Sequence, residues 1–201
     1  AYTAYVKIAE GCNNRCAFCA IPYIRGAYRS RPIEDIRDEV ANLAARGVKE
    51  IILIAQDTTE YGRDLYGEPQ LAKLLRTLCT VEGVHWIRTL YSYPTYFSDE
   101  LIETIASEPK LVKYVDLPMQ HAHDEVLRRM HRHYDTAHYL ELIEYAKKRI
   151  PKVALTTDII VGFPGETYED FLGTVELMKK VRYDSAYTFK YCFYFHDFFK
   201  F

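Results

Sequence analysis

No stretch of this 201-residue chain approaches the roughly 20 consecutive apolar residues of a membrane span. The opening residues also lack the basic-then-apolar order of a secretory signal, so a cytoplasmic location with no membrane partner is expected. Charge of one sign is missing too: 26 basic against 28 acidic side chains leave a net −2, too little to draw the chain onto nucleic acid by its field alone. No linker, low-complexity segment or sequence repeat divides the chain, and with 49% hydrophobic residues it suits one domain with a real core. A disulfide framework is absent as well. The five cysteines are an odd number and three crowd into positions 12–19, a pattern of metal ligation in a reducing compartment rather than of pairs spread along the chain.

What is present is a regular alternation. Short runs rich in β-branched residues lie at 4–8, 50–55, 85–91, 113–117, 154–161 and 185–191, and they read as strands. Between them the apolar residues fall at helical spacing. In R-P-I-E-D-I-R-D-E-V-A-N-L-A-A-R-G, Ile33, Ile36, Val40 and Leu43 share a face, Pro32 suits the first helical position, and Gly47 suits the C-terminal cap. Further helices are expected near 70–81, 98–107, 123–131, 136–149 and 167–181. Strand–helix alternation repeated about six times implies an α/β fold with a parallel sheet, open or barrel-like, whose ligands gather at the carboxyl edge of the strands.

The densest chemistry is E-G-C-N-N-R-C-A-F-C-A-I-P-Y-I-R-G, where Cys12, Cys16 and Cys19 are spaced C-x3-C-x2-C. Zinc sites usually come as two C-x2-C-type pairs, and no second pair is near. Ferredoxin-type clusters use four thiolates; three on a tight loop can hold a [4Fe–4S] cube by three corners and leave one iron open to a chelating cofactor. A structural zinc site is the alternative. Cys79, in an apolar helical run, and Cys192, in an aromatic tail, read as small buried hydrophobes.

With Phe18 just before the third cysteine and the motif following an opening strand, the loop resembles that of the radical S-adenosylmethionine superfamily. That resemblance implies a partial (β/α)6, TIM-like barrel, a [4Fe–4S] cluster on the three cysteines, and S-adenosyl-L-methionine chelated to the fourth iron. The stretch C-N-N-R-C-A-F-C-A-I-P-Y-I-R-G-A-Y-R-S-R-P and the later V-G-F-P-G-E-T resemble the methylthiotransferases. Within them, I-A-Q-D-T-T-E-Y-G-R-D-L-Y-G, W-I-R-T-L-Y-S-Y-P and Y-V-D-L-P-M-Q-H are similar to the ribosomal-protein type (RimO-like), which modifies an aspartate of a small-subunit ribosomal protein. The tRNA-modifying type (MiaB-like) and a non-catalytic iron–sulfur or zinc module that binds RNA stand as alternatives. The resemblance also implies a low-potential electron donor such as flavodoxin or ferredoxin.

Gln56 and Asp57 follow the second strand, where a carboxylate can accept charge-assisted hydrogen bonds from an ammonium. The resemblance implies polar groups there near the methionine amine; the plainer reading is the start of a turn. Gly162 and Gly165 let backbone approach a flat ligand, and Glu166 can orient the helix entry. The resemblance makes this the adenosine segment, with Thr157 and Asp158 nearby. Gln120 and His121 end the fourth strand. Gln120 is a candidate for a substrate or cofactor carboxylate, and His121 reads as structural. Arg25, Arg29 and Arg31 form a basic lip that could clamp such a carboxylate or lie solvated. His131 and His133 read as exposed helix-end residues.

Relatives of this type carry an N-terminal methylthiotransferase domain with a second cluster and a C-terminal substrate-binding barrel. The expectation is that residues 1–201 are the radical core alone. From 192 onward the F-K-Y strand runs into C-F-Y-F-H-D-F-F-K-F, an atypical tail that would be prone to aggregate if exposed.

Overall fold

The computed structural model describes residues 1–192; the phenylalanine-rich tail from 193 to 201 lies outside them. The chain opens with β1 (Thr3–Lys7) and β2 (Ala9–Glu10), followed by α1 (Ile21–Arg25), β3 (Arg29–Ser30) and α2 (Ile33–Ala45). Then come β4 (Glu50–Ile54), α3 (Arg63–Tyr66), α4 (Leu71–Cys79), β5 (Trp86–Thr89), a 3-10 turn at Pro94–Tyr96 and α5 (Asp99–Ser107). The remainder is β6 (Tyr114–Asp116), α6 (Asp124–Arg129), α7 (Thr136–Arg149), β7 (Ala154–Val161), α8 (Tyr168–Val181) and β8 (Ser185–Lys190).

All six expected strands form, and every pair among them is parallel. β1, β4 and β5 make one three-stranded sheet and β6, β7 and β8 another. An isolated bridge between Ile87 and Leu111 joins the two halves. Ser92 N also donates to Asp116 O at 3.1 Å across that seam. The result is a partial barrel with β1 and β8 as its free edges.

The pleat divides the work of the strands. Val6, Ile51, Leu53 and Ile87 point outward and are almost wholly buried with Ile36, Val40, Leu74, Leu78 and Ile102 of the helices. The register sets Tyr5, Ile52 and Arg88 side by side on the inner face, with Asp116 beside Thr156 and Asp158 beside Tyr187 in the other half. That face carries charged and polar residues among the apolar ones. Pro32 caps α2 rather than opening it, and Leu43 is only half-buried where the helical spacing put it in the core.

Helix starts are fixed by their caps. Ser98 Oγ accepts from Leu101 N, and Asp135 accepts from His138 N. Thr167 and Asp170 form a reciprocal capping box that starts α8 directly after the V-G-F-P-G-E segment. No helix among the described residues is long and apolar enough to cross a membrane.

Candidate functional site

The cysteine loop is held from three sides. A two-residue antiparallel ribbon, Ala9 against Ser30 and Glu10 against Arg29, closes its base. Gly11 sits there at φ +81°, where an added Cβ would stand 2.2 Å from the Ala27 carbonyl oxygen, so only glycine fits. Cys12 N donates to Gly26 O at 3.2 Å across the ribbon mouth. Below, Asn14 Nδ2 donates to Asp57 Oδ2 at 2.9 Å, and Tyr28, buried, donates from its hydroxyl to Asp57 O at 2.6 Å. On the far side Ala17 N donates to Met130 O at 3.0 Å.

Cys12, Cys16 and Cys19 are all half-buried, and the neighbouring thiols add to the upward push on Cys12 and Cys19. Burial is the larger cause; it pushes Cys12 up to about 11 and Cys19 upward. Cys16 and Cys19 line a cavity of about 820 Å³ together with Arg15, Phe18, Ile160 and Tyr191. Cys12 stands back from its wall. No group of three Cys, His, Asp or Glu side chains among the described residues is spaced to hold a single metal ion. A [4Fe–4S] cube asks for something else, one thiolate per iron at separate corners, and three mutually near thiols on one fixed loop fit that demand.

Phe18 lines the cavity and packs with Val126, Met130, Ile160 and Phe163. Gln56 Oε1 is a buried acceptor without a hydrogen-bond partner, an opening that a ligand donor would satisfy. Gly162 is exposed at φ +75°. Its amide, with that of Phe163, is held by Glu166 Oε2 at 2.5 and 2.9 Å. Glu166 therefore braces the turn backward as well as leading into α8. His121, fully buried, lies with Nε2 3.1 Å from Glu166 Oε1, off the hydrogen-bonding angle, while its Nδ1 accepts from His123 N. Its ring is thus walled off from solvent between Glu166 and the 121–123 backbone.

Other expectations are displaced. Asp57 is 1% exposed and takes Thr59 N, Thr59 Oγ1 and Glu60 N on Oδ1 as well as Asn14 on Oδ2. It is the hub beneath the loop. Thr157 is wholly buried; its hydroxyl accepts from Met119 N and donates to Leu117 O, because the strand pleat turns it toward the helices and away from the inner face. It cannot touch a ligand in the cavity. Arg25 pairs loosely with Glu10 at 3.6 Å, and Arg31 is tied to Glu39 at 2.6 Å and to Lys7 O, so the three arginines do not form one open lip. Arg29 is exposed in the ribbon. The basic groups that do line the cavity are Arg15, His131 and Lys190. Gln120 is 7% exposed at φ +72°, its backbone stitched to Asp158 O and Ile160 N. Cys192 is exposed and lines the same cavity, against the expectation of burial, while Cys79 packs against the core.

Asp158 faces inward beside Asp116, and burial first, then the Asp116 charge, lift its pKa to about 6 against the opposing pull of Arg132. Between the ordinary aspartate value and about 6 the folded state binds more protons than the unfolded, so this group's contribution to stability falls as pH rises. The stability of Asp158→Asn relative to the parent should therefore climb across that window in urea melts. Screening of this half-exposed carboxyl leaves the gain on the order of 1 kcal/mol. A flat difference would refute it.

Sequence reading missed Arg132, which lies between the two histidines of M-H-R-H-Y. Its guanidinium is buried beneath the loop, donating to Cys16 Sγ at 3.3 Å, Tyr134 Oη at 2.8 Å and Pro118 O at 3.2 Å.

Residues 6–178 match the family described as the Radical SAM superfamily. The chain is 54% identical over 190 residues to "Ribosomal protein uS12 methylthiotransferase RimO" of Desulforamulus reducens, covering 94% of this chain and 43% of the relative. It is 52% identical to the protein of the same name from Moorella thermoacetica, covering 94% and 44%. The chain thus spans less than half the length of these curated relatives. Among solved structures it resembles the radical S-adenosylmethionine methyltransferase TsrM from Kitasatospora setae, with a TM-score of 0.76 at 18% identity over 94% of this chain and 36% of that one. It also resembles the coproporphyrinogen III oxidase HemN of Escherichia coli, with a TM-score of 0.66 at 17% identity over 94% and 44%. At such identities these structures speak for the fold.

Proposed function

The chain belongs to the radical SAM superfamily, and from that membership we propose that it is the radical-generating core of a methylthiotransferase acting on an aspartate of ribosomal protein uS12. The names of the relatives at about half identity support the ribosomal protein over a tRNA as the substrate of the whole protein. The observation that carries the reading is the loop itself: three neighbouring thiols, fixed from three sides, beside a cavity of about 820 Å³. That volume lies in the range of small-molecule and cofactor sites.

Cys12, Cys16 and Cys19 would each hold one iron of a [4Fe–4S] cluster, leaving the fourth corner for S-adenosyl-L-methionine. When bound, the cluster supplies one low-potential electron to the sulfonium, giving methionine and a 5′-deoxyadenosyl radical able to abstract hydrogen. The chain's part is to bind and orient. Gln56 Oε1 would accept from the cofactor's amine, and Phe18 with Ile160 would form an apolar bed for its flat base. Gly162, without a side chain at an exposed turn, would let that base approach the backbone. Asp158 on the inner face would meet substrate rather than cluster. Methylthio transfer belongs to the whole protein, of which these residues would be the core domain. The electron would come from a donor of the flavodoxin or ferredoxin class, in the cytoplasm.

Anaerobic reconstitution with iron and sulfide tests the core reading. The chain should take up about four irons and, under dithionite with S-adenosyl-L-methionine, release 5′-deoxyadenosine. Preferential zinc uptake with no cleavage would overturn it. Adding the whole protein to uS12 and to tRNA and asking which gains mass tests the substrate.

A further inference from the structure

Among the described residues Arg132 is the one buried cation next to the candidate cluster ligands, and its surroundings are unusual. Its side chain is 9% exposed as a residue, and it stacks over the Tyr93 ring at 4.1 Å and the Tyr134 ring at 5.0 Å. All three of its hydrogen bonds go to neutral groups if Cys16 is a thiol: a carbonyl, a phenol and a sulfur. No Asp or Glu forms an ion pair with it among the described residues. Asp158 feels its charge through space without contact. A guanidinium keeps its proton even when buried, and here only the neutral hydrogen-bond partners and the two tyrosine faces offset its lost hydration.

A charge buried without a partner is costly, and such groups are normally paired. The protein supplies this one with no carboxylate but aims Nη1 at Cys16 Sγ. A thiolate-ligated cluster carries negative charge, and one-electron reduction adds another. Both the net charge of a site and hydrogen bonds to its sulfurs set its reduction potential.

We propose that Arg132 is the fixed counter-charge of the cluster's Cys16 corner, a positioning residue whose hydrogen bond to that sulfur makes the cluster easier to reduce. The proposal rests on the cluster reading above. It differs from a scaffolding role in one respect: without a cluster, Arg132 is an unpaired buried charge, so the apo protein should not need it.

The test compares the parent with Arg132→Met and Arg132→Lys, reconstituted anaerobically with iron and sulfide and titrated potentiometrically under EPR. At a fixed donor potential the ratio of reduced to oxidised cluster in R132M should fall on the order of tenfold, a shift of about −59 mV for a one-electron couple, and in R132K by less. Apo R132M should melt within about 2 °C of the apo parent. Equal potentials in R132M and parent would overturn the proposal. So would an apo R132M that does not fold, which would assign Arg132 to the scaffold. Folded R132M that retains no cluster while R132K does supports the counter-charge; loss of the cluster from both refutes it. A parent chain that itself takes up no cluster brings down the proposed function first, and that outcome is seen before any variant is read.

Discussion

Replacing Cys12, Cys16 or Cys19 singly by alanine should strip the reconstituted chain of its iron–sulfide absorbance, with iron content falling at least tenfold, on the order expected when a cluster loses one of its three protein ligands. Cys79→Ala and Cys192→Ala should leave it at the parental level. The contrast with Cys192 is the demanding part. Cys192 is exposed and lines the same cavity as Cys16 and Cys19, so it is a rival ligand on proximity alone. The two sets differ in how they are held. The loop of Cys12, Cys16 and Cys19 is anchored by the Gly11 ribbon, by Asn14 and Tyr28 on the 57–60 turn, and by Ala17 on Met130. Cys192 follows the end of β8, beside Tyr191, which donates to Val161 O, and among the described residues no hydrogen bond ties Cys192 to the cysteine loop. Preorganisation is what lets a thiolate set close on a cluster without first ordering the chain.

Cys12 is equally exposed to disproof, since it does not line the cavity. The ribbon and the Cys12 N–Gly26 O bond hold it at the mouth of the same loop, and the spacing leaves no other third thiol there. Apo melting separates ligation from packing. Cys16 packs partly against the core, so its truncation should cost about 1 kcal/mol of stability, too little to unfold the chain. A C12A variant that retains full iron, or a C192A variant as empty as C16A, would redraw the ligand set.

The long elements were legible because each carries its own period. α4 buries Leu71, Leu74, Leu75 and Leu78 on one stripe, and β7 has eight residues in which to show a β-branched run. The ribbon of β2 and β3 shows no period at all, being two residues per strand held together only by tertiary contacts. Within strands the sequence tells alternation but not which face is which. That is why Thr157 and Asp158 looked alike, although the pleat sends one to the helices and the other to the inner face. The three cysteines stood out as a candidate set without a structure, because their spacing is a chemical pattern in itself. Arg132 needed one. An arginine between two histidines reads as surface by default, and only the fold shows it buried under Cys16.

Asp57 is where the sequence reading and the structure make different demands of one residue. If its chief role were to hold the cofactor's amine, Asp57→Ala would weaken cofactor binding and leave the apo fold unchanged. The geometry asks for more. Removing the carboxylate abandons Thr59 N, Glu60 N and Asn14 Nδ2, three donors in or beside a buried turn, each costing about 1–3 kcal/mol when left unpaired. Burial already disfavours the charged carboxyl and holds its pKa up, which offsets part of that loss. The net expectation is a destabilisation of about 3–4 kcal/mol for D57A, a large share of a domain's usual margin. Asp57→Asn keeps one acceptor for Thr59 and Glu60, and Asn14 can turn its amide to receive the new NH2. Its cost should be about 1 kcal/mol. Urea melts of the apo chain check both, and a D57A curve that overlays the parent's would return Asp57 to the cofactor. Because Asn14, within the cysteine loop, is held by this carboxylate, D57A should also load cluster more poorly than D57N. In that case the carboxylate would shape the iron site from beneath without touching it.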